Sequence, residues 1–456
     1  MKLNALGYLI LPILLTIISC DSSNYQKSTA SNEVVTENML SPLEVHTTYP
    51  KGAYIEDLNQ LFDSIVANHP NPYEFLPKES FESLVAEKKA SITASTTIGE
   101  FVWLCNSVMA AVGCGHSAVS IENVLQLDPS LFFPMEAKFI GSKLYAIDPL
   151  SNETAIEVGK EIRTINGIEV SQLQSLLRKN IPADGYNESM RDYYINKHFS
   201  SYVAFQLGFP KKYSVQITDE TGFKKVDLTP IDQHSPSKKS STSCGDNLCF
   251  EVDTANNLGI ITIQSFVYYN EMLPQFQAFI DDCFQKISEQ GLEHLAIDLR
   301  GNGGGDPYCG AYLLQHISDI AFRYYKQDDR PYYTDLKDIL PLNDNRFKGK
   351  PYILVNGGCF STTGHVSALI RSLDAGIFVG QETGATFSCN ANSFSFELNN
   401  TGIATYIATE VYQTDVQGFA KDQGILPDYP TSPNLSDLLE DSDLEMEKVL
   451  KLIGGE

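Results

Sequence analysis

The chain has 456 residues, 43 % of them hydrophobic, and a formal net charge of −24. Such length and apolar content exclude a disordered protein and suggest two or three domains. The acidic balance argues against nucleic acid and anionic lipid as binding surfaces.

The first nineteen residues carry Lys2 and then an apolar run, Leu9–Ile18, broken only by Pro12 and Thr16. That run is short for a spanning helix and has the plan of an export signal. It ends in Ile17-Ile18-Ser19-Cys20, which resembles a bacterial lipoprotein box. The resemblance implies lipidation at Cys20, with residues 1–19 removed; the alternative is an ordinary secretory signal with an incidental cysteine. Cleavage deletes one lysine and no acid, leaving 32 basic and 57 acidic residues and a charge of −25. An anchored acidic body is consistent, because the acyl chains supply the membrane affinity. The expected location is the bacterial cell envelope, facing the periplasm or the cell surface. Residues 20–51 are polar, Ser/Thr/Asn-rich and aperiodic, and read as a flexible tether.

From Tyr54 the pattern turns helical. Ile55, Leu58, Leu61, Phe62 and Ile65 share one face, and Asn68-His69-Pro70-Asn71-Pro72 stops the helix. Phe81–Lys89 and Thr97–Val112 read as two more, making residues 52–125 a helical N-terminal region. Residues 133–232 alternate apolar and polar positions, as in Lys143–Ile147 and Tyr213–Ile217, and read as a β-rich domain. Within it Val158–Ile168 resembles the run around an Ile-Asn-Gly turn in PDZ-like domains, which bind extended peptide ends by strand addition. Asn166-Gly167 between apolar runs independently predicts a hairpin. His234–Asn247 is a polar linker. Cys244 and Cys249 lie close together in it and beside it, so a local disulfide is plausible in an exported chain. The spacing of the cysteines and histidines offers no zinc pattern.

Residues 248–435 alternate strands and helices: Ile260–Ile263, helix Leu273–Gln290, Leu295–Leu299, helix Tyr308–Ile317, Tyr352–Val355 and helix Thr362–Ser372. This predicts a sheet flanked by helices. Asp335–Lys350 fits neither pattern, and residues 436–456 read as a helical tail. The expected fold class is α/β, or α+β over the whole multidomain chain.

Two of these strands end in unusual turns. Leu295–Leu299 runs into Gly301, Gly303, Gly304 and Gly305, which leave backbone N–H groups uncovered, as an oxyanion site requires. Tyr352–Val355 runs into Gly357 and Gly358, and Ser361 then stands at the start of a helix. A serine on a strand-to-helix turn is placed as a nucleophile, although a helix-capping serine occupies the same position. The loop lacks the Gly-Lys-Ser/Thr of a phosphate site.

The sequences DLRGNGGG (298–305) and Cys359-Phe360-Ser361-Thr362-Thr363-Gly364 resemble the C-terminal processing (tail-specific) peptidases, serine proteases that include the tricorn core. Val379–Gly384 and Gly424–Asp428 match two further blocks of that family. The resemblance implies a peptidase without cofactor or metal, acting on peptide or protein substrates, with Ser361 as nucleophile. Many members pair the serine with a lysine after the Thr-Gly turn, but Gly384–Asn390 contains none. The tricorn-like branch uses a histidine from the N-terminal region, and Gly113-Cys114-Gly115-His116-Ser117 matches that block. His116 is therefore the candidate base and His365 its competitor. Asp422 is the candidate for orienting the base, with Glu382 and Ser117 weaker. Gly303, Gly304 and Thr362 are the candidate oxyanion donors. Cys114, Gly364 and Lys421 depart from the family pattern. Those departures leave open an esterase, or an idle relative that binds peptides or apolar ligands.

Overall fold

Three helices, Lys51–Asn68, Lys78–Ser91 and Ile98–Ala111, open the part of the chain that the computed structural model describes, which comprises residues 44–120, 125, 127–152, 155–220, 222–229 and 247–455. The leader, Cys20, most of the tether, the linker and Cys244 lie outside those residues. Tyr54, Leu58, Leu61 and Ile65 are fully buried on the first helix, as their spacing predicts. Each apolar side chain of that size contributes roughly 1.5–3 kcal/mol on burial. The third helix begins in a capping box, in which Thr97 accepts from the Glu100 N–H and Glu100 accepts from the Thr97 N–H.

The middle of the chain builds an antiparallel sheet. Glu136–Ile140, Lys143–Asp148, Glu161–Ile165, Tyr213–Asp219 and Gly222–Leu228 lie in that order across it, and Ile168–Glu169 pairs with Glu161–Ile165. The Asn166-Gly167 hairpin is present, with φ of 50° and 79° at the two turn residues. The expected β-rich region also holds helices that the alternation did not announce. Three helices, Val170–Arg178, Glu188–Lys197 and Phe199–Leu207, interrupt the sheet before Tyr213. The second of them buries only Met190 and Ile195, so the apolar periodicity that would have announced it is weak.

The third unit is a six-stranded sheet. In spatial order it runs Tyr429–Pro430, Ile377–Gly380, Tyr352–Val355, His294–Asp298, Leu258–Ile263 and Leu248–Asp253. All pairings are parallel except the last, which is a hairpin. Helices Leu273–Gln290, Pro307–Gln315 and Thr362–Ser372 link the parallel strands. The near-continuous burial of Leu295, Ala296 and Ile297 follows from a strand covered on both faces. Asp335–Lys350 holds a single 3-10 turn, Thr334–Lys337, and is otherwise irregular. The tail forms two helices, Leu435–Glu440 and Leu444–Ile453. Cys249 is disulfide-bonded.

A long hairpin, Ser388–Glu397 with Ala404–Gln413, reaches out of the third unit and adds Ala118–Ser120 as an antiparallel third strand. The sequence patterns did not announce it. At its tip Asp57, fully buried on the first helix, accepts hydrogen bonds from Asn400 N and Nδ2 and from Thr401 N and Oγ1 at 2.7–2.9 Å. The N-terminal helices are thus tied to the sheet unit both by backbone pairing and by one buried carboxylate.

Candidate active site

Strand Tyr352–Val355 leaves the sheet beside strand His294–Asp298, so the turns after the two strands meet. Asn356 ties them together, its Oδ1 accepting from both Gly301 N and Gly358 N at 2.9 Å. Asn302, with no exposed surface, does the same from the other side. Its Oδ1 accepts from Gly304 N and Thr363 Oγ1, its Nδ2 donates to Ile263 O, and its backbone O accepts from Phe360 N.

Held between them, Ser361 adopts φ 54° and ψ −123° as the residue preceding helix Thr362–Ser372. A non-glycine residue in that region costs roughly 1–3 kcal/mol and persists only where its surroundings enforce it. The turn points the serine hydroxyl away from its own helix: Ser361 makes no side-chain capping bond, which removes the bland alternative of a helix cap. Gly304 and Gly305 are required here as glycines. A Cβ on Gly304 would lie 2.7 Å from Ser361 Cβ, and one on Gly305 would lie 2.2 Å from the Phe266 carbonyl carbon.

His116 arrives from about 250 residues away in sequence. The short strand Ala118–Ser120, paired with Thr405 and its neighbours, fixes the loop Gly113–Ser117 against the sheet unit. His116 Nε2 lies 2.9 Å from Ser361 Oγ, and its ring packs on Phe360 with centroids 4.5 Å apart. Both residues are buried, His116 at 3 % and Ser361 at 6 % exposure. Burial lowers the His116 pKa from 6.5 to about 4, which keeps the imidazole neutral and able to accept a proton.

Not all the candidates converge. His365 does not bond the serine; its Nε2 lies 3.5 Å from Cys389 Sγ, among Tyr324 and Tyr325. Asp422 makes no bond to His116 either. Its backbone lies against Gly185, and His116 Nδ1 bonds no described residue. Ser117 is engaged structurally, its Oγ accepting from Ala408 N and donating to Cys114 Sγ. Glu382 is half-buried and accepts from Gly424 N at 2.8 Å, away from His116.

Of the oxyanion candidates, Gly304 N–H is already taken by Asn302 Oδ1, so Gly304 serves by its close approach and not as a donor. Gly303 and Thr362 remain. Asp298 forms a two-pronged ion pair with Arg300, which also reaches Asp443 and Glu445 on the tail. Asp306 caps helix Pro307–Gln315 through Tyr308 N. Among the described residues, no three His, Cys, Asp or Glu side chains are grouped to hold a metal.

Sequence reasoning missed Asn302, Asn356 and Asp184. The two asparagines were visible as letters, but their roles depend on two turns meeting in space. Asp184 accepts a 2.8 Å hydrogen bond from Gly115 N, next to His116, and sits in a stretch that had been assigned to strands.

A strained serine before a helix N-terminus, a histidine at hydrogen-bond distance and a glycine-lined turn beside it define a serine-hydrolase type of site. Residues 257–431 match the model of peptidase family S41. No curated protein sequence matches the chain. Among solved structures, mature CPAF complexed with lactacystin is similar at 14 % identity and a TM-score of 0.61, covering 89 % of this chain and 99 % of that one. Mature CPAF alone gives 13 %, 0.60, 88 % and 97 %. A putative peptidase from Parabacteroides merdae is 13 % identical at a TM-score of 0.48, over 89 % of this chain and 97 % of its own. At 13–14 % identity the CPAF likeness shows the fold, which extends over the N-terminal helices as well as the sheet unit.

Proposed function

We propose that this chain is a lipid-anchored serine peptidase that cleaves peptide bonds through an acyl-enzyme at Ser361, with His116 as general base. The observation that carries the proposal is the 2.9 Å separation of Ser361 Oγ and His116 Nε2 at a serine held in a strained turn.

In this mechanism Ser361 Oγ attacks the scissile carbonyl carbon as its proton passes to His116 Nε2. The carbonyl oxygen becomes an oxyanion held by the N–H groups of Gly303 and Thr362. Loss of one such donor typically costs about 3 kcal/mol of transition-state stabilisation. The His116 proton then goes to the leaving amine as the C–N bond breaks. Water, deprotonated by His116, hydrolyses the ester and restores the serine. Met190, Phe360, Ala183 and Ala385 form an apolar cluster that includes the residue preceding the serine.

The test is labelling with a fluorophosphonate probe, followed by turnover of peptide and ester substrates. Wild type should label at Ser361 and cleave peptides, and Ser361→Ala should do neither while binding peptide as before. Ester turnover without peptide turnover would assign an esterase. No labelling in the folded protein would leave a peptide-binding relative.

The anchor at Cys20 rests on the Ile17–Cys20 box behind a short apolar run. An intact mass that places the mature N-terminus elsewhere, or a native protein found free in water, would remove it.

A further inference from the structure

We infer that Arg300 is a positioning residue for the oxyanion turn, held in place by Asp443 and Glu445 at the start of helix Leu444–Ile453. The inference deepens the hydrolytic reading of Ser361 and rests on it.

Glycines at 301, 303, 304 and 305 give the turn few side chains with which to hold a shape. Its backbone is fixed by acceptors instead. Arg300 N donates to Asp298 Oδ1, Gly301 N to Asn356 Oδ1, Asn302 N to Leu299 O and Gly304 N to Asn302 Oδ1, at 2.9–3.0 Å. From Arg300 to Gly304 this leaves the Gly303 N–H as the one donor without an acceptor among the described residues. Asn302 holds the turn from within. At its entry the side chain that holds it is Arg300.

All five guanidinium N–H groups are committed to three carboxylates. Nε donates to Asp298 Oδ1 at 3.0 Å and Nη2 to Asp298 Oδ2 at 2.7 Å, the paired geometry that fixes a guanidinium plane. Nη2 also donates to Asp443 Oδ2 at 3.0 Å, and Nη1 donates to Asp443 Oδ1 at 2.7 Å and Glu445 Oε2 at 2.9 Å. The side chains of Arg300, Asp298 and Glu445 are only 20 %, 10 % and 13 % exposed. Burial works against the guanidinium charge, but the bonds to Asp298 and Asp443 outweigh it and raise the Arg300 pKa. Breaking such a withdrawn network leaves the remaining charges without partners, so it holds its geometry more firmly than a surface pair does.

The partners on the tail are themselves anchored. Asp443 Oδ1 caps the helix through Met446 N at 3.0 Å, and Glu445 Oε1 accepts from Thr431 Oγ1 at 2.6 Å. Val449, fully buried, packs with Met446 and Leu450 in one apolar cluster with Ala296, Leu354 and Val379. Ala296 and Leu354 lie on the two neighbouring strands that run into the oxyanion turn and the serine turn. The helix therefore rests on the strands that carry both turns, and Arg300 links it to the residue next along, Gly301. Every bond of the guanidinium goes to a carboxylate, so Arg300 acts through the turn and not on the substrate.

Arg300→Met, Glu445→Gln and Asp443→Asn test this, the last keeping an oxygen for the helix cap. For each, kcat, KM and the pH dependence of kcat/KM are measured on a peptide substrate. The affinity of a peptide trifluoromethyl ketone is measured beside them. Ser361 Oγ adds to its carbonyl carbon, the serine proton passes to His116, and the carbonyl oxygen becomes the oxyanion. Arg300→Met should lower kcat by roughly tenfold to a hundredfold and leave KM within about twofold, as expected when a transition-state donor is misplaced. Glu445→Gln and Asp443→Asn should each lower kcat by about threefold to tenfold. Ketone affinity should fall by the same factor as kcat/KM. The limb on which kcat/KM rises with pH reports His116 and should stay in place in all three. Arg371→Met is the control, since Arg371 pairs with Asp428 at the far end of helix Thr362–Ser372. It should keep the wild-type kcat.

Wild-type kcat in Arg300→Met overturns the inference, as does an equal loss in Arg371→Met. If Arg300→Met does not fold, unchanged kcat in both tail variants overturns it. If wild type turns over no substrate, hydrogen exchange at the Gly301 and Gly304 amides decides. Exchange at least about tenfold faster in Glu445→Gln keeps the hold on the turn while the hydrolytic reading fails, and unchanged exchange removes both.

Discussion

Placing an alanine at Gly304 tests the contact between the glycine turn and the nucleophile. Gly304 has φ +101°, and a Cβ there would meet Ser361 Cβ at 2.7 Å, Phe360 O at 2.8 Å and Thr362 N at 2.9 Å. Ordinary contact begins at 3.4 Å, so Ser361 must retreat by about 0.7 Å or the turn must open. The unfavourable φ costs roughly 1–3 kcal/mol and the overpacking about the same again, for a total of about 2–6 kcal/mol. Displacement of a reacting group by 1 Å can cost about a hundredfold in rate, so kcat/KM should fall by roughly one to two orders of magnitude even in the folded fraction. Gly418 is the control: it has φ +84° and nothing within 4 Å of a built Cβ. Gly418→Ala should bear only the backbone cost and keep full turnover. Urea unfolding and kcat/KM on both variants decide the matter. A Gly304→Ala protein that matches Gly418→Ala in rate would refute the claim that this glycine makes room for the serine.

Ser361→Gly should be more stable than Ser361→Ala by about 1 kcal/mol, because glycine accepts the positive φ that alanine does not; thermal unfolding of the two inactive variants measures it. His365→Ala should destabilise by roughly 2–4 kcal/mol through the cavity it leaves, yet leave the pH limb of kcat/KM in place, since His365 faces Cys389 and not Ser361. Asp57→Ala should cost about 3 kcal/mol in urea unfolding, because the donors of Asn400 and Thr401 lose a buried charged acceptor. Finally, burial lowers His69 and His116 to about 4 and His365 to about 3. The unfolded chain therefore binds protons that the folded chain does not as pH falls from about 6.5 towards 4, and stability should drop across that window. Asp184, raised to about 7, acts with the opposite sign, its contribution being lost as pH rises through that value. His198, also lowered to about 4, and His316 join the first side, and Asp306, raised to about 6, with Glu136 and Glu382 join the second. The five histidines outweigh these carboxyls and leave a net fall on acidification, and equal unfolding midpoints at pH 7 and pH 5 would contradict it.

What could be read in advance followed from local pattern. Leu273–Gln290 forms as its apolar spacing predicts because it buries one face, Tyr352–Val355 because it is an apolar central strand of the sheet, and Thr362–Ser372 because nearly all of it is buried. The Ser361 turn was legible because glycines on both flanking turns leave few other uses for such a segment. His116 was selected by family resemblance alone, and nothing local distinguishes it from a loop histidine. The hairpin Ser388–Gln413 escaped because its outer partner, Ala118–Ser120, is only three residues long and about 280 residues distant. Helix Glu188–Lys197 escaped because its sequence, ESMRDYYINK, is polar on most faces. Asp184 went unseen for a related reason. Its partner is a backbone N–H, which has no signature in the one-letter sequence.

The strand that delivers His116 to Ser361 has a bearing on when, as well as how, this molecule can act. Ala118–Ser120 is held by residues 404–406, so the histidine cannot be seated while that part of the polypeptide is still being made. Contacts this remote also close slowly, since the loop entropy is lost before the pairing repays it. An unfinished copy carries the serine turn without its base.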